Sequence, residues 1–161
     1  APLPRQEELK DTWNGVGFHL FENDAVFPLD QVREILTLPP LTSVPGTHPW
    51  VKGIANVRGS LLPVMDLRGF LGMPETAPSA MNRVVVVNHE GIFAGLVVDQ
   101  IWGIKHFFLD QVVSDEAETQ AAAAEPMHPY IKHGFIDDER MWPVFDLHAI
   151  AEDTRFLQVA Q

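Results

Sequence analysis

The stretch HPWVKGIANVRGSLLPVMDL, residues 48–67, recurs 80 positions further along the chain as HPYIKHGFIDDERMWPVFDL, residues 128–147. Seven of the 20 aligned positions are identical, whereas about one identity is expected at average residue frequencies. Both copies begin with His-Pro and end with Pro-Val-x-Asp-Leu, so the match is anchored at its two ends. The chain is therefore an internal duplication.

A second match lies earlier in each copy, at an offset of 69. It pairs Asp30-Gln31-Val32 and Ile35 with Asp99-Gln100-Ile101 and Ile104. The offset changes because the second copy carries additional residues, which are found in the acidic, Ala-rich segment 114–125. This segment lacks apolar periodicity, and we expect an acidic surface loop or a short exposed helix that is mobile.

Each copy contains short runs of β-branched and aromatic residues separated by polar turns, which predicts two hairpins per copy. The strands of the first hairpin are expected at 17–22 and 25–29 in one copy, and at 83–88 and 92–98 in the other. Short strands with frequent Gly and Pro favour small β-barrels over a helical bundle. One copy of about 65 residues buries too little surface to be stable alone, so the two copies should pack on each other.

Short helices complete the predicted fold. We expect an N-terminal helix at about 4–14, a short helix within 29–38, and helical turns at 66–72 and 146–153 after each Pro-Val-x-Asp-Leu block. The predicted boundaries are about 15–72 for the first barrel and about 81–150 for the second, within a single domain of 1–161.

Composition excludes several classes of function. The net charge of −11 disfavours nucleic acid and anionic membranes as partners. There is no cysteine, hence no disulfide or thiolate metal site. No apolar run approaches the ~20 residues that cross a bilayer, so no membrane insertion is expected. No secretory signal is visible either, which favours a cytoplasmic location.

The sequence contains no established catalytic or metal-binding pattern. Asp66 and Asp146 occupy matching positions, as in a two-lobed aspartic hydrolase, but neither is followed by the Thr/Ser-Gly of such a site; each is better explained as the cap of the following helical turn. His128, His133 and His106 form no known metal-ligand spacing. Nucleotide-binding and α/β-hydrolase motifs are also missing. We therefore predict no catalytic residue, metal or cofactor.

Residues 51–67, VKGIANVRGSLLPVMDL, resemble the CheW coupling family of bacterial chemosensory systems. The resemblance lies in the Gly-hydrophobic-x-Asn-hydrophobic-Arg-Gly hairpin that runs into Pro-Val-x-Asp-Leu. It extends to Phe27-Pro28-Leu29 and to Gly95–Asp99, and thus to nearly the whole chain. Within this family, the segment HPWVKGIANVRG resembles the PilI-type adaptors of twitching-motility (type IV pilus) systems more than the flagellar adaptors.

The resemblance implies a mainly β fold of two SH3-like five-stranded barrels that share a hydrophobic interface. It also implies a non-enzymatic adaptor that joins the cytoplasmic tip of a chemoreceptor to the regulatory domain of a CheA-like histidine kinase, recruited to membrane receptor arrays. The receptor-binding groove then comprises Val32, Glu34, Ile35, Gly53, Ile54 and Arg58. The residues assigned to kinase binding are Val97, Asp99 and Ile104.

One further alternative remains open at this point. Trp50, Trp102 and Trp142 are numerous for so short a chain, and an SH3-like surface can bind extended or Pro-rich peptides. An unrelated β-barrel peptide-binding module is therefore the rival interpretation beside the aspartic hydrolase.

Overall fold

The computed structural model describes residues 11–160, in which strands dominate and form two sheets. The strands are β1 (Thr12–Leu20), β2 (Asn23–Pro28), β3 (Glu34–Thr37), β4 (Val51–Val57), β5 (Ser60–Asp66), β6 (Arg83–His89), β7 (Ile92–Val98), β8 (Gln100–Phe108), β9 (Val112–Val113), β10 (Ile131–Asp137) and β11 (Arg140–Phe145). The helices are α1 (Leu67–Phe70), α2 (Glu116–Ala121), α3 (Leu147–Ala151) and α4 (Thr154–Ala160). The predicted mainly β architecture with short helices is confirmed.

The first sheet, which we call the aliphatic barrel, has the order β3-β6-β7-β5-β4. It closes through the segment after β3, because Thr42 and Ile54 on β4 exchange both backbone hydrogen bonds at 2.9 Å. Small aliphatic side chains fill its interior: Ala55, Leu62, Val64, Val84, Val86 and Val97.

The second sheet, the aromatic barrel, has the order β8-β1-β2-β11-β10-β9. After β8 the chain makes a 3-10 turn at Leu109–Gln111 and enters β9, where Val113 pairs with Gly134 on β10. Gly134 is the repeat counterpart of Ile54, so both barrels close at the same place in the repeat. The interior of this barrel contains Val26, Phe107, Phe135, Trp142 and Val144.

The predicted barrel boundaries, 15–72 and 81–150, are wrong because the repeats exchange their first hairpins. β1 and β2 of the first copy join β8–β11, whereas β6 and β7 of the second copy join β3–β5. The exchange is symmetric: β7 pairs in parallel with β5, and β2 pairs in parallel with β11. Only Asp99 separates β7 from β8, so the chain passes from one barrel to the other without folding back on its own hairpin.

A third hydrophobic cluster joins the two barrels. Phe18 and Phe27 stack at 3.9 Å between ring centroids, and Phe145 packs edge-on against both. Across from them lie Val85, Leu96 and other buried residues of the aliphatic barrel. The predicted packing of one copy on the other is therefore confirmed, and this inter-barrel core is larger than either barrel interior.

Two predicted helices give way to strands. Residues 12–14 of the helix expected at 4–14 belong to β1, where Trp13 pairs with Phe107 and stacks on Phe135; residues 4–10 lie outside the described part of the chain. The helix expected within 29–38 is limited to a 3-10 turn at Leu29–Gln31. Ile35 and Leu36 have helical spacing with Val32, but pairing of β3 with β6 satisfies more backbone groups than one isolated turn would.

The Pro-Val-x-Asp-Leu blocks end as predicted. Asp66 accepts a hydrogen bond from the Gly69 amide and Asp146 accepts one from Ala149, so each caps the helix that follows. The acidic segment 114–125 is largely exposed, as predicted, and contains α2. It is attached to the aromatic barrel, however, through Gln120, whose side chain donates to the carbonyls of His128 and Ile131 at 3.0 Å.

Candidate functional site

Arg58 and Glu34 form an ion pair at one end of the aliphatic barrel. Arg58 lies in the two-residue turn between β4 and β5, where φ is +50° at Arg58 and +85° at Gly59, and the Asn56 side chain accepts from the Gly59 amide at 3.0 Å. Positive φ at both central residues matches the twist of the flanking strands. The turn holds the guanidinium 2.5 Å from Glu34 Oε2, on the first residue of β3.

The electrostatics of this pair are those of an exposed contact. The hydrogen bond from Arg58 lowers the pKa of Glu34, and the same bond raises the pKa of Arg58. The Arg58 side chain is 70% exposed, so the pair adds little to stability. Arg58 can therefore exchange Glu34 for a carboxylate or carbonyl of a partner at small cost to the fold.

A depression of about 350 Å³ surrounds the pair. It lies between the ends of β3, β6 and β7 and the β4–β5 turn, and its lining residues are Arg33, Glu34, Val57, Arg58, Ser60, Asn88 and Phe93. Most of these side chains are polar, so this end of the barrel suits a polar contact more than a buried apolar ligand.

Val32 and Ile35 lie on the side of the aliphatic barrel that faces the second barrel. Ile35 pairs with Val85, which belongs to the inter-barrel core, and Val32 packs against that core. Ile35 remains 38% exposed. The predicted groove residues therefore occupy two adjoining surfaces: an apolar margin at Val32 and Ile35, and a polar barrel end at Glu34 and Arg58.

Gly53 and Ile54 lie where β4 meets the segment that closes the barrel. Gly53 is buried with a φ of +143°, and a Cβ atom there would lie 2.5 Å from the Thr42 carbonyl oxygen. Ile54 is half-buried and bonded to Thr42. Gly53 is thus required for barrel closure, and it can affect a docking surface only through the position of its neighbours.

The structure does not bring the three residues assigned to kinase binding together in one exposed surface. Val97 is 3% exposed in the interior of the aliphatic barrel, so its side chain is not accessible to a partner. Asp99 accepts from the Phe21 amide at 2.7 Å and from Arg68 at 2.9 Å, and so fixes the crossing between the barrels. Ile104 is 59% exposed on β8 and is the member of the set that a partner can reach.

The corresponding end of the aromatic barrel carries a polar network whose residues are not among the predicted site residues. Asp24 accepts hydrogen bonds from His19 at 2.8 Å and Trp102 at 2.7 Å, and pairs with Arg140. Burial raises the pKa of Asp24, but these three partners together lower it further, so its pKa lies below the ordinary value. The repeat relates this network to the depression at the end of the aliphatic barrel. In the order Asp24, His19, Trp102 and Arg140, the equivalent residues are Phe93, Asn88, Arg33 and Ser60. The location of the network could therefore have been inferred from the two repeat offsets.

The hydrolase interpretation finds no support in the geometry. Asp66 is fully buried, and its carboxylate accepts from Thr76 and from two backbone amides. Asp146 accepts from Gln31 and from Ala149. The two carboxylates thus have separate sets of hydrogen-bond partners and share no hydrogen bond.

Comparison with known proteins places the chain among chemosensory proteins. The CheW-like domain matches residues 14–155. Protein PilI of Pseudomonas aeruginosa is 43% identical over 160 residues, which cover 99% of this chain and 87% of the relative. A probable chemotaxis protein CheW of Rhizobium etli is 26% identical over 141 residues, or 86% of this chain and 87% of the relative.

A solved structure agrees with the fold. The scaffolding protein TtCheW from Thermoanaerobacter tengcongensis superposes with a TM-score of 0.75 over 90% of this chain and 96% of that chain, at 23% identity. The expected two-barrel fold and the resemblance stated from the sequence are confirmed. Within residues 11–160, no helix is long and apolar enough to cross a membrane.

Proposed function

Because the chain belongs to the CheW-like family, we propose that it is a non-enzymatic adaptor that couples receptors to a CheA-like histidine kinase in chemosensory signalling. The observation that carries this proposal is the 43% identity to PilI along 99% of the chain. The same observation favours the twitching-motility branch of these pathways over the flagellar branch.

The receptor-docking surface is assigned to the Val32–Ile35 margin together with the Glu34–Arg58 pair. Docking surfaces commonly combine an apolar centre with a polar rim. Ile35 supplies exposed apolar area beside half-buried Val32, and Arg58 supplies an exposed charge next to it. The helical hairpin at the cytoplasmic tip of a chemoreceptor fits such a surface, since a helix presents an apolar stripe with polar flanks. Through this contact the adaptor is recruited to membrane receptor arrays.

The kinase-docking surface is assigned to the corresponding edge of the aromatic barrel. Ile104 lies opposite Val16 on β1 just as Ile35 lies opposite Val85 on β6, and both pairs are related by the offset of 69. The duplication thus presents two similar strand edges, one on each barrel. One edge for the receptor and one for the regulatory domain of the kinase would let a single adaptor hold both partners.

A crossed binding experiment tests this assignment. Affinities for the receptor cytoplasmic domain and for the kinase regulatory domain are measured by calorimetry with Arg58→Glu, Ile104→Glu and the control Lys132→Glu. Lys132 is an exposed lysine of β10 outside both surfaces. Arg58→Glu should weaken receptor binding by about 30-fold, or about 2 kcal/mol, and leave kinase binding unchanged. Ile104→Glu should weaken kinase binding and leave receptor binding unchanged.

The outcomes separate the general proposal from the assignment of surfaces. If neither partner binds the unaltered chain, the adaptor function is wrong. If both bind but Arg58→Glu and Lys132→Glu behave alike, the adaptor function stands and the receptor surface lies elsewhere. Circular dichroism of each variant verifies that the fold is intact.

A further inference from the structure

A histidine and two glutamates converge where the β6–β7 turn meets the end of α3. His89 Nε2 lies 2.9 Å from Glu152 Oε1 and 3.9 Å from Glu90 Oε2, and the ligand atoms of the three side chains all lie within 4.8 Å of one another. We propose that His89, Glu90 and Glu152 bind a divalent transition-metal ion, with Zn²⁺ as the representative ion.

The spacing of the donor atoms suits such an ion. Zn²⁺ binds imidazole nitrogen and carboxylate oxygen at about 2.0–2.2 Å, so two ligand atoms of a tetrahedral site are about 3.3–3.6 Å apart. The two measured distances from His89 Nε2, 2.9 and 3.9 Å, lie on either side of that separation. Both glutamate side chains are more than half exposed, at 79% and 61%. Small rotations of these chains can therefore equalise the distances.

The local structure fixes the imidazole and leaves the carboxylates free to adjust. The His89 side chain is 18% exposed, and the ring of His148 on α3 stacks on it at 3.8 Å between centroids and 14° between planes. Glu90 follows directly in a tight turn with a φ of +49° at Glu90 and +82° at Gly91. The cluster thus has one oriented nitrogen ligand and two oxygen ligands that can move onto an ion.

The ligand chemistry selects the class of cation. One imidazole with two carboxylates suits Zn²⁺ and neighbouring first-row ions, whereas Mg²⁺ and Ca²⁺ prefer sites made entirely of oxygen. Three protein ligands leave one position for water, as in open zinc sites. The net charge of −11 further favours the approach of a cation.

An ion at this site would connect parts of the chain that are distant in sequence. His89 and Glu152 are 63 residues apart. They join the aliphatic barrel to the region where α3 leads into α4, whose Phe156 is fully buried in the inter-barrel core. Metal binding should therefore reduce hydrogen exchange at α3 and α4. The site leaves no recognisable spacing in the sequence, because only the fold brings His89 and Glu152 together.

The test is calorimetric titration of the whole chain with Zn²⁺, combined with hydrogen exchange. The unaltered protein should bind one ion saturably, and Glu152→Gln and His89→Asn should each weaken binding by at least tenfold. Loss of a residue that only hydrogen-bonds a metal ligand often lowers metal affinity by about 10–100-fold, so loss of a ligand should have at least a comparable effect. Glu139→Gln and His106→Gln alter an exposed glutamate and an exposed histidine away from the cluster, and both should bind as the unaltered chain does.

Three results would contradict the metal site, and two of them do not depend on the stability of His89→Asn. Because Glu152 is exposed, Glu152→Gln should fold normally and thus gives a clear result even if His89→Asn is unstable. Absence of saturable binding, or equal weakening in the cluster variants and the control variants, would overturn the proposal. Protection of α3 and α4 by Zn²⁺ that persists in Glu152→Gln would also contradict it.

Discussion

At the residue scale, Gly53 shows how one backbone position supports a whole surface. Its φ of +143° and the 2.5 Å approach to the Thr42 carbonyl leave no space for a side chain. Gly53→Ala should therefore displace the segment that closes the aliphatic barrel and destabilise the protein by about 3 kcal/mol, combining backbone strain with a steric clash. Urea denaturation measures the loss.

Gly72→Ala provides the matched control for this prediction. Gly72 also has a positive φ, +80°, but a Cβ atom there meets nothing within 4 Å. Only conformational strain applies, and the expected cost is about 1 kcal/mol. Equal destabilisation by the two substitutions would mean that the Thr42 contact is unimportant.

At the scale of elements, the Asp24 network connects β1, β2, β8 and the first residue of β11 at one end of the aromatic barrel. Because the folded pKa of Asp24 is lower than that of an unfolded aspartate, near 3.8, the carboxylate stabilises the fold above that pH. This stabilisation is lost as the pH falls through 3.8 toward the folded pKa. Asp24→Asn should therefore give a shallower decline of stability between about pH 5 and pH 3.

Urea midpoints at a series of pH values measure that decline. Trp102→Phe is the informative companion variant, since it keeps the carboxylate and removes one of its donors. Its pH dependence should be intermediate between those of the unaltered chain and Asp24→Asn. Parallel curves for all three proteins would show that Asp24 does not contribute to the acid sensitivity of folding.

The same scale shows what the sequence could and could not provide. The strand predicted at 92–98 matches β7, because its apolar run is bounded by the polar turn at 88–91 and by Asp99-Gln100. Asp66 and Asp146 were identified as caps from their position alone. The segment after Leu29 was misassigned because helical spacing of Val32 and Ile35 is visible in the sequence, whereas the pairing of β3 with β6 is not. The Arg58 turn was identified from its motif, but burial of Val97 required the structure.

At the scale of the whole molecule, the exchange of hairpins between repeats is the feature that no local pattern encodes. Alternation of apolar residues specifies which face of a strand is buried, but not which strand lies beside it. The duplication predicted two similar barrels, and the structure shows that each contains strands from both copies. This arrangement makes the two barrels mutually dependent, which supports a rigid spacing between the two proposed docking edges.

That dependence gives a direct prediction for the halves of the chain. A fragment of residues 1–80 holds β1–β5 but lacks β6 and β7, which lie at the centre of the aliphatic barrel. A fragment of residues 81–161 lacks β1 and β2, which occupy the same places in the aromatic barrel. Each half alone should therefore show no cooperative unfolding, whereas an equimolar mixture should assemble and recover the spectrum of the intact chain. Circular dichroism and size-exclusion chromatography of the separate and mixed fragments provide the measurement. A half that folds cooperatively as a monomer would show that one repeat can form a complete barrel alone. The exchange of hairpins would then not be the cause of any coupling between the two barrels.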